Sequence, residues 1–393
     1  MLLRQSPAHD AAGFLRNAAG VRLAVSSDFD ASGERPRPTP GEGVLFDRLG
    51  AALVHGDPEQ AQALADRALR HSLLIAPERY TRASELAVAS PAARAGGAGC
   101  GSSAVPLIDT SLATWGLEAT RIRSSRFSGR GTRVAILDTG LDLRHPDFAD
   151  RTIVSQSFVA GLAADDANGH GTFCAGVACG PLHAAQGPRY GIAFGAELYI
   201  ARVLDDSAGG TDGDTLAGID WAVRSHCEVI SMSLGSPVAL GDSHPRVYEA
   251  VAARALAAGS LLIAPAGNTS QRPDTIAPVE HPANCPSILA VGAVDHSLAV
   301  APFSNGALNP NGGEVDVAAP GIAIFSAAPR PDLYQTGSGT SMAASYVAGI
   351  AALFAEADLT ARGAALRALL RQACRALSSP MRDIGAGLVQ APQ

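Results

Sequence analysis

Three short segments of the sequence carry side chains that could together perform nucleophilic catalysis. Asp138 ends the apolar run of residues 134–137, His170 stands between two glycines, and Ser341 precedes the apolar helical pattern of residues 347–354. A hydroxyl nucleophile needs an imidazole to accept its proton and a carboxylate to orient that imidazole. The order Asp, His, Ser therefore predicts a site for acyl transfer.

Each of the three residues has a simpler interpretation when it is considered alone. Asp138 could belong to a turn, His170 could lie at the surface, and Ser341 could be an ordinary helix cap. A serine at a helix start nevertheless has a free backbone N–H, which can bind an oxyanion. All 30 basic residues are Arg. The absence of Lys excludes a Ser–Lys hydrolase, a Schiff-base enzyme and a phosphate loop that needs Lys, so the base must be a histidine.

The chain resembles the subtilisin-like serine protease (subtilase) family over roughly residues 110–390. The resemblance rests on segments 138–140, 170–172 and 339–343, which look like the three signature motifs of that family. It implies a serine endopeptidase that works through an acyl-enzyme, with Asp138, His170 and Ser341 as its catalytic triad.

The same resemblance implies which residues contact the substrate. Asn268, which ends the run 261–268, matches the residue whose side chain is the second donor of the oxyanion hole. The family binds a polypeptide substrate as an added strand, so that backbone bonds give affinity and pockets give specificity. The matching substrate-binding residues are Ser233, Leu234, Gly235, Gly209, Gly210, Ala266 and Gly267. Their small side chains predict an open cleft that accepts apolar or bulky side chains.

Some positions depart from the family pattern. Ser345 and Tyr346 stand where the family usually has Pro and His, and Pro265 interrupts the strand before Asn268. An alternative function is a non-catalytic protein that holds a peptide in a subtilase-like cleft, and the first two departures are its support. A nucleotide-binding oxidoreductase is a third function, but no G-x-G-x-x-G follows the first strand of the predicted sheet.

Catalysis by such a triad needs no cofactor, but the resemblance implies a structural calcium ion. Residues 145–147 look like the family segment in which Asp147 would ligate Ca²⁺. The loop at residues 182–191 lacks a convincing set of oxygen side chains to complete the site, although backbone carbonyls could serve. The alternative is that Asp147 caps a turn.

From residue 133 onward, short apolar runs alternate with helical patterns. Continuous apolar strands with intervening helices indicate a parallel sheet covered on both faces. We therefore expect an α/β fold over residues 110–393, a three-layer sandwich with a mostly parallel sheet, and a site at the carboxyl ends of its strands. The predicted strands are residues 134–137, 198–203, 229–234, 261–264, 288–291 and 315–318.

Residues 1–90 are predicted to be a separate N-terminal region that contains a small α+β unit. The unit begins with a predicted strand at residues 44–54, and a helix follows from Asp57, a good N-cap. By position it resembles a subtilase propeptide that assists folding and occupies the cleft in cis; the alternative is a permanent regulatory or docking domain. Residues 91–109, rich in Gly, Ala and Ser, are the predicted linker.

The overall composition limits the partners and the compartment. The net charge is −7 and no basic run is present, which argues against a nucleic-acid partner. No segment approaches about 18 consecutive apolar residues, so we expect no membrane partner. The first residues do not form a signal peptide, which favours the cytoplasm over secretion. The six cysteines are scattered without a CxxC pair, which indicates buried thiols and not a zinc site.

Overall fold

The computed structural model describes residues 20–26, 38–71, 74–83, 87–88 and 107–393. Most of the predicted linker therefore lies outside the described residues. In the N-terminal region, β2 pairs parallel with β1 and antiparallel with β3, and a helix follows the third strand. The elements of this region are β1 (Arg22–Val25), β2 (Glu42–Phe46), β3 (Ala51–His55), α1 (Pro58–His71), β4 (Tyr80–Ala83) and β5 (Ala87–Val88).

The prediction of one strand over residues 44–54 is wrong, because the chain forms a hairpin there. Phe46 of β2 faces Ala51 of β3, and residues 47–50 make the turn. Gly50 adopts a φ of +55°, a left-handed conformation that suits glycine. Leu49 is buried within the turn, so hydrophobicity alone does not separate the turn from the strands. The predicted cap is confirmed: the carboxylate of Asp57 accepts the backbone N–H of Gln60 at 2.8 Å.

A parallel sheet of seven strands forms the centre of the remaining chain, in the order β14-β13-β12-β10-β6-β8-β7. All six predicted strands are present. The edge strand β7 was not predicted, because its partly exposed sequence is not continuously apolar. The strands are β6 (Arg133–Asp138), β7 (Ile153–Ser157), β8 (Glu197–Arg202), β10 (Val229–Met232), β12 (Leu261–Pro265), β13 (Leu289–Val294) and β14 (Val317–Pro320).

Helices cover both faces of this sheet, which confirms the three-layer α/β sandwich. Val134 and Ile136 of β6 belong to one buried cluster, while Ala135 and Leu137 belong to the other, because successive side chains of a strand point to opposite faces. The helices are α2 (Trp115–Ala119), α3 (His170–Cys179), α4 (Asp212–Arg224), α5 (Arg246–Ala257), α6 (Thr340–Ala357), α7 (Ala364–Gln372) and α8 (Met381–Ile384), with 3₁₀ turns at Ile122–Ser124 and Pro146–Phe148. In the described residues, α6 is long and apolar enough to cross a membrane, but 83% of it is buried inside the protein.

Four further strands are short and lie beside the sheet: β9 (Gly209–Thr211), β11 (Leu234–Gly235), β15 (Ile324–Ala327) and β16 (Tyr334–Ser338). The N-terminal strand β4 lies between β11 and β9 and is antiparallel to both. The N-terminal strand β5 is antiparallel to β16. The N-terminal region therefore adds backbone to two separate edges of the larger domain.

The N-terminal unit packs against helices α4 and α5. Its buried side chains Val44, Phe46, Leu49 and Ala51 belong to the same apolar cluster as those two helices. Polar contacts surround the cluster: the guanidinium of Arg254 donates to the Leu49 carbonyl, and the Ser26 hydroxyl lies 2.7 Å from the Asp220 carboxylate. The interface is thus built like a protein core, with a buried polar contact beside the apolar cluster.

Candidate active site

The carboxyl end of the central strand β6 carries Asp138, and the first residue of helix α3 is His170. Nδ1 of His170 lies 2.8 Å from Oδ1 and 3.0 Å from Oδ2 of Asp138, and both side chains are buried. This contact orients the ring and leaves Nε2 on its other side. Within the described part of the chain, Nε2 of His170 has no hydrogen-bond partner. A buried nitrogen of this kind is suited to accept the proton of a nucleophile.

The Asp138 carboxylate also determines the charge of the ring. Burial by itself lowers the pKa of His170, but the charge of Asp138, together with the Cys174 sulfur, raises that pKa well above its ordinary value of 6.5. A histidine of this kind acts as a base only after it loses its proton. The form of His170 that can accept a proton is therefore populated as the pH rises.

Asp166 holds the loop that precedes His170, and sequence reasoning missed it. One of its oxygens accepts the backbone N–H groups of Asn168 and Gly169 and the Thr139 hydroxyl; the other accepts the N–H and the hydroxyl of Thr172. These donors come from both sides of the histidine. The signal in the sequence was an Asp four residues before His170, ahead of a helix start.

Ser341 is the second residue of helix α6, next to the Asn268 amide. Oδ1 of Asn268 accepts the Thr340 N–H at 2.9 Å and the Thr340 hydroxyl at 2.8 Å. This fixes the orientation of the amide, and its Nδ2 is buried without a partner among the described residues. An oriented, unused donor beside a serine N–H matches what an oxyanion hole requires.

Helix α6 packs directly against α3, which brings Ser341 and His170 to the same part of the molecule. The Ser341 carbonyl accepts a hydrogen bond from Ser345 at 2.9 Å and a longer one from Ser233 at 3.4 Å. Ser345 thus has a structural role within the helix, and Tyr346 is 1% exposed in the apolar core. Both departures are accommodated by packing, so they do not support a non-catalytic cleft.

Four of the predicted substrate-binding residues lie in two short strands, Gly209 and Gly210 in β9 and Leu234 and Gly235 in β11, with β4 between the strands. Thr81 is paired with Gly210, and Arg82 is paired with both Gly209 and Gly235. A Cβ on Gly210 would lie 2.5 Å from the Val203 carbonyl, so glycine is required at that position. Of the remaining residues, Ser233 contacts the Ser341 carbonyl through its hydroxyl, and Ala266 and Gly267 directly precede Asn268.

Cys174 lies one helical turn after His170, and sequence reasoning did not assign it to the site. Its sulfur is 3.8 Å from Nδ1 of His170, and the side chain is fully buried. The signal was the spacing of four residues, which places two side chains on one face of a helix.

Asp147 does not fit a calcium site, contrary to the expectation. Its carboxylate accepts the Ala185 N–H at 2.7 Å and the hydroxyls of Tyr190 at 2.6 Å and Tyr334 at 3.1 Å. Burial first, and then the Asp147 charge, raise the pKa of both tyrosines, that of Tyr334 to about 12, so both remain donors. A calcium ion requires a shell of oxygen acceptors, whereas this carboxylate is surrounded by donors. Asp147 therefore joins the Pro146–Phe148 turn to two aromatic rings.

Comparison with known proteins agrees with this geometry. The family model described as "Subtilase family" matches residues 129–387. The chain is 36% identical to "Subtilisin DY" of Bacillus licheniformis over 60% of its own length and 81% of that protein. It is 34% identical to "Subtilisin" of Bacillus pumilus, over 70% of its own length and 94% of that protein.

A third relative is "Intracellular serine protease" of Paenibacillus polymyxa, which is 36% identical over 57% of this chain and 67% of that protein. The matched region contains the central sheet, the buried Asp–His pair and the helix that begins beside Asn268. By sequence and by the architecture around this pair, the chain belongs to the subtilase family of serine endopeptidases.

Proposed function

We propose that Ser341, His170 and Asp138 carry out peptide-bond hydrolysis in this chain. Oγ of Ser341 attacks the carbonyl carbon, and its proton passes to Nε2 of His170. His170 then gives that proton to the leaving amine, and water releases the acyl group by the same steps. The observation that carries this proposal is the pair of short contacts between Nδ1 of His170 and Asp138, which leave Nε2 without another partner in the described residues.

Asn268 and the backbone N–H of Ser341 are the proposed oxyanion hole. The unpartnered Nδ2 of Asn268 supports this role, because a buried donor without an acceptor is costly unless a ligand supplies one. Asn268→Ala should lower kcat by about 10²–10³-fold, the magnitude known for the corresponding donor of subtilisin itself.

A fluorophosphonate probe tests the proposed nucleophile. The probe should label Ser341, and Ser341→Ala should abolish both the labelling and the hydrolysis of a peptide substrate, a loss of about 10⁶-fold. Ser345→Ala is the matched control, because Ser345 lies one turn further along the same buried helix and should leave the labelling intact. Labelling that survives Ser341→Ala would overturn the assignment.

We further propose three parts of the chain: an N-terminal region at residues 1–90 that occupies the cleft in cis, a linker at 91–109 and a peptidase domain at 110–393. The pairing of β4 with β11 and β9 supports cis occupancy, since a substrate would use the same backbone groups. The pairing of β5 with Gly337 and Ser338, just before Ser341, supports it on the other side of the site.

Two experiments test this arrangement. Mass spectrometry of the purified chain should find a cut that is absent from the Ser341→Ala variant. Ala83→Pro removes the N–H that donates to the Ala208 carbonyl at 2.9 Å, and should speed probe labelling of Ser341. Tyr80→Ala, at a side chain that is 83% exposed, is the control and should not. Equal labelling rates for wild type and Ala83→Pro would contradict cis occupancy.

The proposed compartment is the cytoplasm. Five cysteines of the described chain are free thiols, which suits a reducing compartment: Cys174, Cys179, Cys227, Cys285 and Cys374. One relative carries the name "Intracellular serine protease". Fractionation of the native host with an antibody to this chain tests the proposal, and enrichment in the medium would contradict it.

A further inference from the structure

A buried glutamate lies between two glycines of the substrate-binding segments. A Cβ on Gly235 would come within 2.9 Å of Oε2 of Glu280, and a Cβ on Gly267 would lie 2.6 Å from its Cδ. Gly235 belongs to β11, against which β4 is added as a strand, and Gly267 precedes Asn268. The Glu280 side chain therefore reaches between the two walls of the cleft, beside the oxyanion hole.

The backbone holds Glu280 in this position. Its N–H donates to the Ala266 carbonyl at 3.0 Å, which ties the residue to the wall that carries Gly267. The next residue, His281, exchanges backbone hydrogen bonds with Ser236 at 2.8 and 3.1 Å, which ties the same segment to the wall that carries Gly235. Glu280 is thus attached to both walls, and its side chain occupies the space that the two glycines leave.

The carboxylate of Glu280 has few partners for a group that is 6% exposed. Oε1 has contacts of 3.3 Å from the Thr269 hydroxyl and 3.4 Å from the Asn305 amide, both long for hydrogen bonds. Among the described residues, no donor contacts Oε2 and no cation pairs with Glu280. Burial raises the pKa of Glu280 to about 7, against the weaker opposing effect of Thr269 and Asn305. A buried carboxylate normally has a charged partner or several donors.

We propose that Glu280 forms the base of the pocket for the side chain before the scissile bond, and that it selects Arg or Lys there. This inference rests on the proposed function, because it assigns a pocket to the cleft beside Ser341. A guanidinium or ammonium group at the end of a long apolar stem reaches a recessed carboxylate and supplies the donors that the protein does not. An acidic side chain is repelled, and an aromatic one leaves the carboxylate desolvated and unpaired. The preference for apolar or bulky residues expected from small pocket-lining residues is replaced by a preference for cations.

Three peptide p-nitroanilides that differ only in the residue before the anilide, Arg, Phe or Glu, test the proposal. With the intact chain, kcat/KM for the Arg substrate should exceed that for Phe by about tenfold or more, and the Glu substrate should be the slowest. Glu280→Gln keeps the shape and removes the charge. It should lower the Arg-to-Phe ratio by about tenfold, with the Phe rate and probe labelling of Ser341 retained. Glu314→Gln, at an exposed glutamate, is the matched control and should leave the ratio unchanged.

Several outcomes would overturn this assignment. One is a wild-type enzyme that cleaves the Phe substrate faster than the Arg substrate. Another is a wild-type enzyme that prefers a fourth substrate with Ala before the anilide, since the carboxylate would then merely fill the pocket. Another is an Arg-to-Phe ratio that is the same in wild type and Glu280→Gln. If Glu280→Gln does not fold, Glu280→Asp provides the test, because a shorter acid should retain the Arg preference at a reduced ratio. Failure of the proposed function looks different: no substrate is cleaved and Ser341 is not labelled, even in the Ala83→Pro background that weakens the proposed cis contact.

Discussion

Asp166 and Glu280 are both buried carboxylates beside the active site, but their surroundings are opposite. Asp166 accepts five hydrogen bonds from the loop and helix around His170. Glu280 has two long contacts on one oxygen and, in the described residues, none on the other. The first carboxylate is satisfied by the protein and organises the loop around His170, the proposed base. The second is satisfied only in part, which is useful where a ligand supplies the missing partner.

We expect Asp166→Ala to be severely destabilising, because Asp166 is the carboxylate that the protein itself satisfies. The change leaves five donors without their acceptor, so the free energy of unfolding should fall by about 3 kcal/mol or more, and peptidase activity should fall with it. Chemical denaturation of the Ser341→Ala background measures the stability without self-digestion. Asp165→Ala is the control: that side chain is 50% exposed, and its loss should cost less than about 0.5 kcal/mol. Equal losses of unfolding free energy in the two variants would show that the five hydrogen bonds of Asp166 do not stabilise the fold more than an exposed carboxylate does.

The role proposed for Glu280 predicts that the substrate specificity depends on pH. Cation binding requires the ionised form of Glu280, and its pKa of about 7 lies above the ordinary value of 4.5. The ratio of kcat/KM for Arg and Phe substrates should therefore rise by about tenfold as the pH increases from 6 to 8. The titration of His170 affects both substrates and cancels in the ratio. A ratio that does not change with pH in wild type, or that changes equally in Glu280→Gln, would contradict this role.

A third buried carboxylate extends the comparison to the interface with the N-terminal unit. The Ser26 hydroxyl lies 2.7 Å from Asp220 and 3.1 Å from Asp47, but its single proton can serve only one of them at a time. Burial raises the pKa of Asp220 to about 6, despite Ser26 and Arg224, which lower it, and Asp47 raises it further. The other oxygen of Asp220 has no partner among the described residues.

The stability contribution of Asp220 should therefore depend on pH. Because the folded state raises this pKa, the contribution is complete below the ordinary value of 3.8 and is lost as the pH rises through about 6. Between pH 5 and 8 the free energy of unfolding should fall by about 1–2 kcal/mol from this group. Asp220→Asn in the Ser341→Ala background should remove that part of the pH dependence, whereas Asp332→Asn, at an exposed position, should not.

The smallest effect is expected at Cys174. Its sulfur helps to raise the pKa of His170, so Cys174→Ala should move the acidic limb of the kcat/KM profile to lower pH. The plateau should change by less than about threefold, because the Asp138 contact remains. Cys179→Ala removes a buried thiol from the same helix without touching the histidine, and should leave the limb in place. An equal shift of the acidic limb in both variants would show that the effect comes from packing and not from the contact between Cys174 and His170.

Periodicity predicted the larger elements of the fold because burial on both faces leaves a clear pattern. The six predicted strands are largely apolar and buried, and the strands at 133–138 and 261–265 end at the predicted Asp138 and just before Asn268. The edge strand Ile153–Ser157 and the turn between Phe46 and Ala51 were missed, since exposure in the first and a buried Leu49 in the second obscure the local pattern.

The order of the motifs, the absence of Lys and the Gly-Asn that follows the strand at 261–265 were sufficient for the sequence by itself to identify a subtilase and to propose its triad. Residue types and order do this because the reaction requires a carboxylate, an imidazole and a hydroxyl, and each of them stands in a short motif at a strand end or a helix start. Only the tertiary structure decided the surroundings of Glu280, Asp166 and Asp147. The sequence does not show which donors surround a carboxylate. Residues far along the chain supply those donors, and they determine whether the carboxylate holds a loop, joins two tyrosines or remains only partly satisfied.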